Sequence, residues 1–275
     1  MEKVTENVYA ELGFNGCNVS FVVTKQGVVM VDTPQIPSEA IQWRDEIEKH
    51  GPVRYLINSE PHGDHYSGNY FFNGTIIGHE GVREAILNAS MEQMKERVQT
   101  LAPDDLALLE WFTFRPPSIT FRNHLTLFLG DHTFHLMNLP GHTPFQTVVF
   151  IPEEQVVVTS DNVIGQGSPF FPPDAMPFEW LESLRRMQEL AANVFIPGHG
   201  EICNRDYLKE MIAMVQGRID TVQEAIDKEM TLKKALDKVT FKDKYPPASS
   251  SPEMVERFRR ISIERLFEVL THKKS

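Results

Sequence analysis

The sequence predicts an α/β chain, α+β in its mixing of strand directions, in which two sheets lie face to face with helices on both outer sides. Three observations carry this. Short apolar runs bounded by Gly, Pro, Asn and Ser alternate with helical stretches in two similar halves. Tight turns join the first runs, so the sheet begins antiparallel. Side chains that bind metals recur where apolar runs end, and a rigid strand aims the loop that leaves it.

Taken in order, residues 8–12 and 17–23 read as strands, and Lys25-Gln26-Gly27 turns the chain into a third at 28–32. Pro37-Ser38-Glu39 starts a helix that Gly51-Pro52 stops near residue 50. A buried strand at 54–58 then runs into Asn58-Ser59-Glu60-Pro61-His62-Gly63-Asp64-His65. Strand 75–78 precedes His79 and Glu80, which open a helix, and a helix-start histidine more often caps or packs than binds metal. Residues 81–113 read as two helices split at Ala102-Pro103-Asp104. Arg115-Pro116-Pro117 breaks helix and leads to strands at 119–122, 125–129 and 132–137, where His124, His132 and His135 read as surface or packing residues. Strands 146–151 and 155–159 follow, then a helix at 177–192 and a strand at 194–196.

Glu60, His62, Asp64 and His65 fall within six residues, and Pro61 and Gly63 help the backbone curl. A lone His-x-x-His is usually a solvated loop. Here three more ligand types stand downstream, each after an apolar run: His142 in Leu139-Pro140-Gly141-His142-Thr143-Pro144, Asp161 after residues 156–160, and His199 in Pro197-Gly198-His199-Gly200. Imidazole and carboxylate at this spacing suit zinc, iron or manganese.

In these motifs, over about residues 5–210, the chain resembles the metallo-β-lactamase-fold superfamily of metallohydrolases. It departs at Glu60, where the family usually has its first histidine, and at Phe145, where a small glycine is common. The resemblance implies a four-layer αββα sandwich and two divalent ions, zinc first. Site one would be Glu60, His62 and His142, and site two Asp64, His65 and His199, with Asp161 bridging. It also implies that Asp32 braces the metal loop, a cap being the plainer reading. Asp64 is expected to orient the nucleophile as a catalytic residue. The ions would acidify a shared water and polarise the substrate oxygen. Glu60 is read as a ligand, with a general base or a side chain turned away from a one-metal site as alternatives. As a ligand it makes the core neutral, because three carboxylates and a hydroxide balance two divalent ions, and it shifts preference towards iron or manganese.

The expected activity is hydrolysis of an ester, thioester, lactone or amide bond in a small, fairly apolar molecule, with residues 165–173, Phe145, Phe170 and Phe171 forming an aromatic pocket wall. A mononuclear-iron persulfide oxygenase is the alternative, followed by a β-lactamase and a non-catalytic metal-binding protein.

The 275 residues suffice for one catalytic domain, residues 1–204, and a helical extension, 205–275. The extension reads as helices at 205–228, 231–239 and 251–271, with a Pro-rich break at 245–250. Val255, Phe258, Ser262, Leu266, Val269 and Leu270 share one face of the last helix, which packs on its own body or on a second subunit, a homodimer being slightly favoured. The net charge is −11, and residues 205–275 carry 15 Lys/Arg against 12 Asp/Glu, a balance of +3 that leaves −14 for the rest. So acidic a body argues against nucleic acid and for a small-molecule substrate. Residues 1–6 lack a signal-peptide core and no apolar run is long enough for a bilayer, so no membrane partner and a cytoplasmic location are expected. The two cysteines, Cys17 and Cys203, stand in no paired motif, and a buried thiol is the simplest reading of Cys203.

Overall fold

Alternate residues of a strand face opposite sides of its sheet, and the central strands of this chain are apolar on both sides. The computed structural model, which describes residues 1–247 and 251–272, arranges them in two sheets packed face to face. The first holds β1 (Glu2–Lys3), β2 (Val8–Glu11), β3 (Val19–Thr24), β4 (Gly27–Val31), β5 (Val53–Asn58), β6 (Thr75–His79) and β7 (Ile119–Phe121) in chain order. Its pairs are antiparallel as far as β4 and parallel from β4 to β7. The second holds β8 (His124–Leu129), β9 (His132–Asn138), β10 (Thr147–Ile151), β11 (Val156–Gly165) and β12 (Val194–Gly200), antiparallel except for the parallel β11–β12 pair.

The layers follow from the alternation. Val29 and Val31 of β4, Ile57 of β5, Phe134 and Leu136 of β9, and Val156 and Val158 of β11 fill the space between the sheets. Their neighbours point outwards. Val28, Met30 and Leu56 meet Ala40, Trp43 and Ile47 of helix α1 (Pro37–Ile47), which begins on proline at its first turn. On the other side Val148 and Val157 meet Trp180, Leu184 and Met187 of α5 (Pro177–Glu189) and Leu208, Met211 and Val215 of α6 (Arg205–Asp227).

The remaining helices pack around this frame, α7 and α8 on the side of α5 and α6 and α3 beside β6 and β7. They are α2 (Gly63–Tyr66), α3 (Glu80–Leu87), α4 (Met91–Leu101), α7 (Leu232–Lys238) and α8 (Pro252–His272). Two details correct the sequence reading. The segment after residue 80 breaks at Asn88–Ser90, where Ser90 caps α4 by accepting from the Gln93 amide, and Pro103–Leu109 is a 3-10 turn rather than a second α-helix. Strand β11 also continues through Asp161 to Gly165, so that this residue sits inside the strand, at a bulge, and not after its end.

Helix α8 lays Ser262, Ile263, Leu266 and Leu270 into the same cluster as α5 and α6, so its apolar face is covered by its own chain. A dimer through these helices would use their outer sides. Of the Pro-rich break, residues 248–250 lie outside the described residues. No helix among the described residues is long and apolar enough to cross a membrane.

Trp180 is the largest side chain between α5 and the second sheet, fully buried, and its indole N–H donates to the Asn162 carbonyl at 2.9 Å. Trp180→Ala removes both packing and donor. It should cost about 3–5 kcal/mol of stability, read by urea denaturation of the purified variant.

Candidate metal centre

Two strand ends from the first sheet meet two from the second. The contact is made by backbone: the Thr147 amide donates to the Ser59 carbonyl at 2.6 Å, and the Asn18 amide to the Gly198 carbonyl at 2.6 Å. Asn18 adds side-chain bonds to the Pro197 and Gly200 carbonyls at 3.0 and 2.8 Å. The first bond ties the metal loop, which leaves β5, to β10, and the Asn18 bonds tie the start of β3 to β12.

Asp32, at the end of β4, anchors the loop. Its buried carboxylate accepts from the Ser59 amide at 2.8 Å, from the Ser59 hydroxyl, and from Nδ1 of His65 at 2.9 Å. Taking the Nδ1 proton fixes the tautomer of His65 and leaves Nε2 aimed at the cluster. Asp32 has φ +58° and Ser160 φ +49°, both in the left-handed region that branched or bulky side chains avoid. Ser59 Oγ lies 2.7 Å from Ser160 Oγ, so one serine ties the two special conformations together. The brace expected of Asp32 is thus present.

All seven residues expected as ligands come together. Glu60, His62, His142 and Asp161 place ligand atoms within 4.8 Å of one another, and so do Asp64, His65 and His199. Oε1 of Glu60 is 2.6 Å from Nδ1 of His62 and 3.3 Å from Nε2 of His65, so this side chain turns into the cluster. The Asp161 carboxylate stands between the groups, 3.3 Å from His65 Nε2, 3.6 Å from His142 Nε2 and 3.3 Å from His199 Nε2. Asp64 lies 3.4 Å from His199 Nε2. Cys17, Asp32 and His65 also lie close together, but Nδ1 of His65 is committed to Asp32, and burial pushes the Cys17 thiol up to about 12.

Whether these residues fit metal ions is tested by their polar atoms. Oε1 and Oε2 of Glu60, Nε2 of His65 and Oδ1 of Asp161 are buried without a hydrogen-bond partner, and all belong to the cluster. Leaving such atoms unpaired costs about 1–3 kcal/mol each, so a set that points inward together fits cations.

The supporting residues are those the sequence reading missed. Asn162 accepts from the His142 amide at 3.0 Å and donates to the Leu139 carbonyl at 2.7 Å, which sets the Pro-Gly-His loop. His142 gives its Nδ1 proton to the Phe170 carbonyl at 3.0 Å, leaving Nε2 for the cluster. A Cβ on Gly198 would lie 1.8 Å from Oδ1 of Asp161 and 2.8 Å from backbone of β11, so that glycine makes room for a ligand.

The cluster floors a cavity of about 1100 Å³. Phe170 lines it, packed 4.6 Å from Phe258 of α8, as do Phe241 and Val255. The other two aromatics expected in the wall are elsewhere. Phe145 stacks on His79 at 5.1 Å, and Phe171 is buried against Trp180. His79 itself caps α3 by accepting from the Gly81 amide. His132 is a buried packing residue, hydrogen-bonded to Glu154 at 2.9 Å. Cys203 sits against the Phe195 carbonyl, away from the cluster.

The family model described as Metallo-beta-lactamase superfamily matches residues 12–199. The chain belongs to this superfamily. It is 20% identical to a linear primary-alkylsulfatase from Pseudomonas sp. over 88% of this chain and 53% of that protein. It is 24% identical to the alpha subunit of a 2,4-dinitroanisole O-demethylase from Nocardioides sp., over 71% and 54%. A type 2 metallo-beta-lactamase from Elizabethkingia meningoseptica is 24% identical over 83% and 87%. The chain spans about half the length of the first two. Among solved structures, an inverting sec-alkylsulfatase from Pseudomonas sp. superposes with TM-score 0.72 at 16% identity, over 97% of this chain and 49% of that one. A metallo-beta-lactamase family protein from Thermus thermophilus does so with TM-score 0.71 at 16% identity, over 99% and 95%. The last extends the shared fold over the C-terminal helices. The relatives named here include two hydrolases, an alkylsulfatase and a metallo-beta-lactamase.

Charge in the cluster is mutually compensating. Burial opposes protonation of His62, but Glu60, then Asp64 and Asp161, outweigh it and push its pKa up to about 9. His65, beside Cys17, Glu60 and Asp161, and His199, beside Asp161 and Asp64, rise well above the usual imidazole range against their burial, while Asp64 and Asp161 are held low against burial by those imidazoles. His142 goes down, because its burial outweighs its acidic neighbours.

A pH dependence follows for metal-free protein. A group raised from about 6.5 in the unfolded chain to about 9 in the fold stabilises fully below the lower value, and that stabilisation is lost as pH rises through the upper one. Metal binding requires neutral imidazole, so loaded protein lacks this loss. Melting temperature of chelator-treated protein should fall between about pH 6 and about pH 9.5 by more than that of loaded protein; parallel curves would contradict the cluster's protonation.

Proposed function

We propose that the protein is a metal-dependent hydrolase that cleaves an ester, thioester, lactone or amide bond in a small molecule with an apolar body. One observation carries this reading: seven ligand-type side chains, four of whose buried atoms have no partner, converge beneath a cavity with aromatic walls, and five of them line it. Relatives named as alkylsulfatase, metallo-beta-lactamase and, over 32% of this chain at 30% identity, atrochrysone carboxyl ACP thioesterase support hydrolysis as the reaction class.

Two divalent ions held by this set, zinc first, would supply an acidified water and a Lewis acid. Glu60, His62 and His142 would hold one ion and Asp64, His65 and His199 the other, with Asp161 between. The chain's own residues do the rest. Asp64 lines the cavity and is held as a carboxylate by His65 and His199, so its outward oxygen would orient the attacking group as an acceptor. Phe170, Phe241 and Phe258 exclude water from the apolar end of the substrate. Glu60, a hard oxygen donor, favours iron or manganese more than histidine would. Both cysteines are free, which suits the reducing cytoplasm we assign to it.

Elemental mass spectrometry of untagged protein should find about two zinc, manganese or iron atoms per chain, and the loaded protein should turn over at least one member of an ester, thioester, lactone and amide panel. A single iron with oxygen uptake on a persulfide would replace the hydrolase reading by an oxygenase. Glu60→His adds one positive charge to the core, and should alter metal content and lower the midpoint of the pH–rate profile by about one unit.

A further inference from the structure

Gly63 lies in the metal loop between His62 and Asp64, yet its backbone is not in the left-handed region. Its missing side chain is a matter of space. A Cβ there would lie 2.4 Å from Nη1 and 2.8 Å from Nη2 of Arg97. The guanidinium of Arg97 therefore rests against the loop backbone, one residue from two of the cluster's side chains. It is held there by α4, whose Met94 and Val98 are buried with Leu109 and Phe112. Residues three and four apart share a helix face, so Arg97 occupies the inward stripe of α4, where a charge needs a reason.

That charge is uncompensated. Arg97 gives one N–H to Ser67 Oγ at 3.3 Å and has no carboxylate partner among the described residues. Other cations lining the cavity are neutralised: Arg218 by Asp243 at 2.6 Å, Lys244 by Glu210 at 2.8 Å, and Arg259 by Glu256 at 2.6 Å. Arg257 of α8 lines the same cavity and also has no carboxylate partner among the described residues. In a chain of net charge −11, two guanidiniums without a carboxylate partner on one cavity offer an anion two positive charges that no acid of the chain has claimed.

We propose that Arg97, assisted by Arg257, is the specificity-determining residue of this cavity, and that the substrate is an amphipathic oxyanion. Its carboxylate, sulfate or phosphate group lies on the guanidinium, and its apolar body runs along Phe170, Phe241 and Phe258. This rests on the hydrolase reading for the reaction and adds the charge of the molecule. A planar fork of N–H donors suits such groups bidentately, where an ammonium offers a point charge. The core with Glu60 as ligand is neutral and attracts anions weakly, so selection for charge passes from the ions to the arginines.

The test is calorimetric titration of metal-loaded protein with octanoate, octyl sulfate and octanol, which share a chain and differ in head group. At least one anion should bind about tenfold or more tightly than octanol, and the better of the two names the oxyanion class. Arg97→Gln should remove most of that preference at unchanged metal content, Arg97→Lys should keep part of it, and Arg257→Gln should reduce it less. Absence of anion binding, equal affinity for octanol, or a preference that survives Arg97→Gln together with Arg257→Gln would overturn the proposal. Binding needs no turnover, so failure of the substrate panel is read separately from failure of this assignment.

Discussion

The carboxylate of Asp32 is the interaction on which the site depends. It is buried at the end of a strand and carries a charge that burial disfavours. Burial raises its pKa, and the donors that work against burial are a ligand imidazole, the loop hydroxyl and the loop amide. Since Ser59 reaches onward to Ser160 in the opposite sheet, a single buried charge aligns the two halves of the sandwich where the cluster is built. Hydrophobic packing between the sheets is non-directional, and would tolerate small slides of one sheet over the other. The hydrogen bonds around Asp32 would not.

Above that brace lies a cluster of opposite charges in a poorly hydrated place. Three carboxylates and four imidazoles compensate one another with protons, or compensate ions without them. Either way no side chain in it can be changed alone, because its partners' charge states were set by its presence. Glu60 shows this most clearly. It has neighbours from both ligand groups, and its carboxylate removes a positive charge from the core that histidine would leave.

Much of this was readable from residues. Unbroken apolar runs within 28–32 and 54–58 declare both faces apolar and so place their strands inside a layered fold, and the ligands were found because imidazoles and carboxylates stood beside glycine after such runs. What was missed has a physical cause in each case. An aromatic side chain in a loop is equally apolar whether it faces a cavity or the core, so Phe170, Phe171 and Phe145 looked alike and went to three different places. Asp161 looked terminal because Thr159, Ser160 and Asn162 surround it with polar side chains, although the Asn162 amide is spent on the backbone of Leu139 and His142 and the strand runs on. Gly63 was read as a conformational device, and is in fact room for an arginine thirty-four residues away. Arg97 itself carries no local motif. Only a helix periodicity that puts a charge on the buried side marks it.

The division of the site between segments has a further consequence. Every member of the ligand cluster falls between residues 60 and 199, whereas Phe241, Val255, Arg257 and Phe258, which shape the far side of the cavity, come after residue 205. Arg97 and Phe170 lie in the same stretch as the ligands, but the rest of the wall that selects is encoded in a different stretch of the gene from the residues that react. Mutation, insertion or recombination in the later stretch can change which molecules enter while the reacting centre is inherited untouched, and drift towards new substrates then follows the helices rather than the ligands.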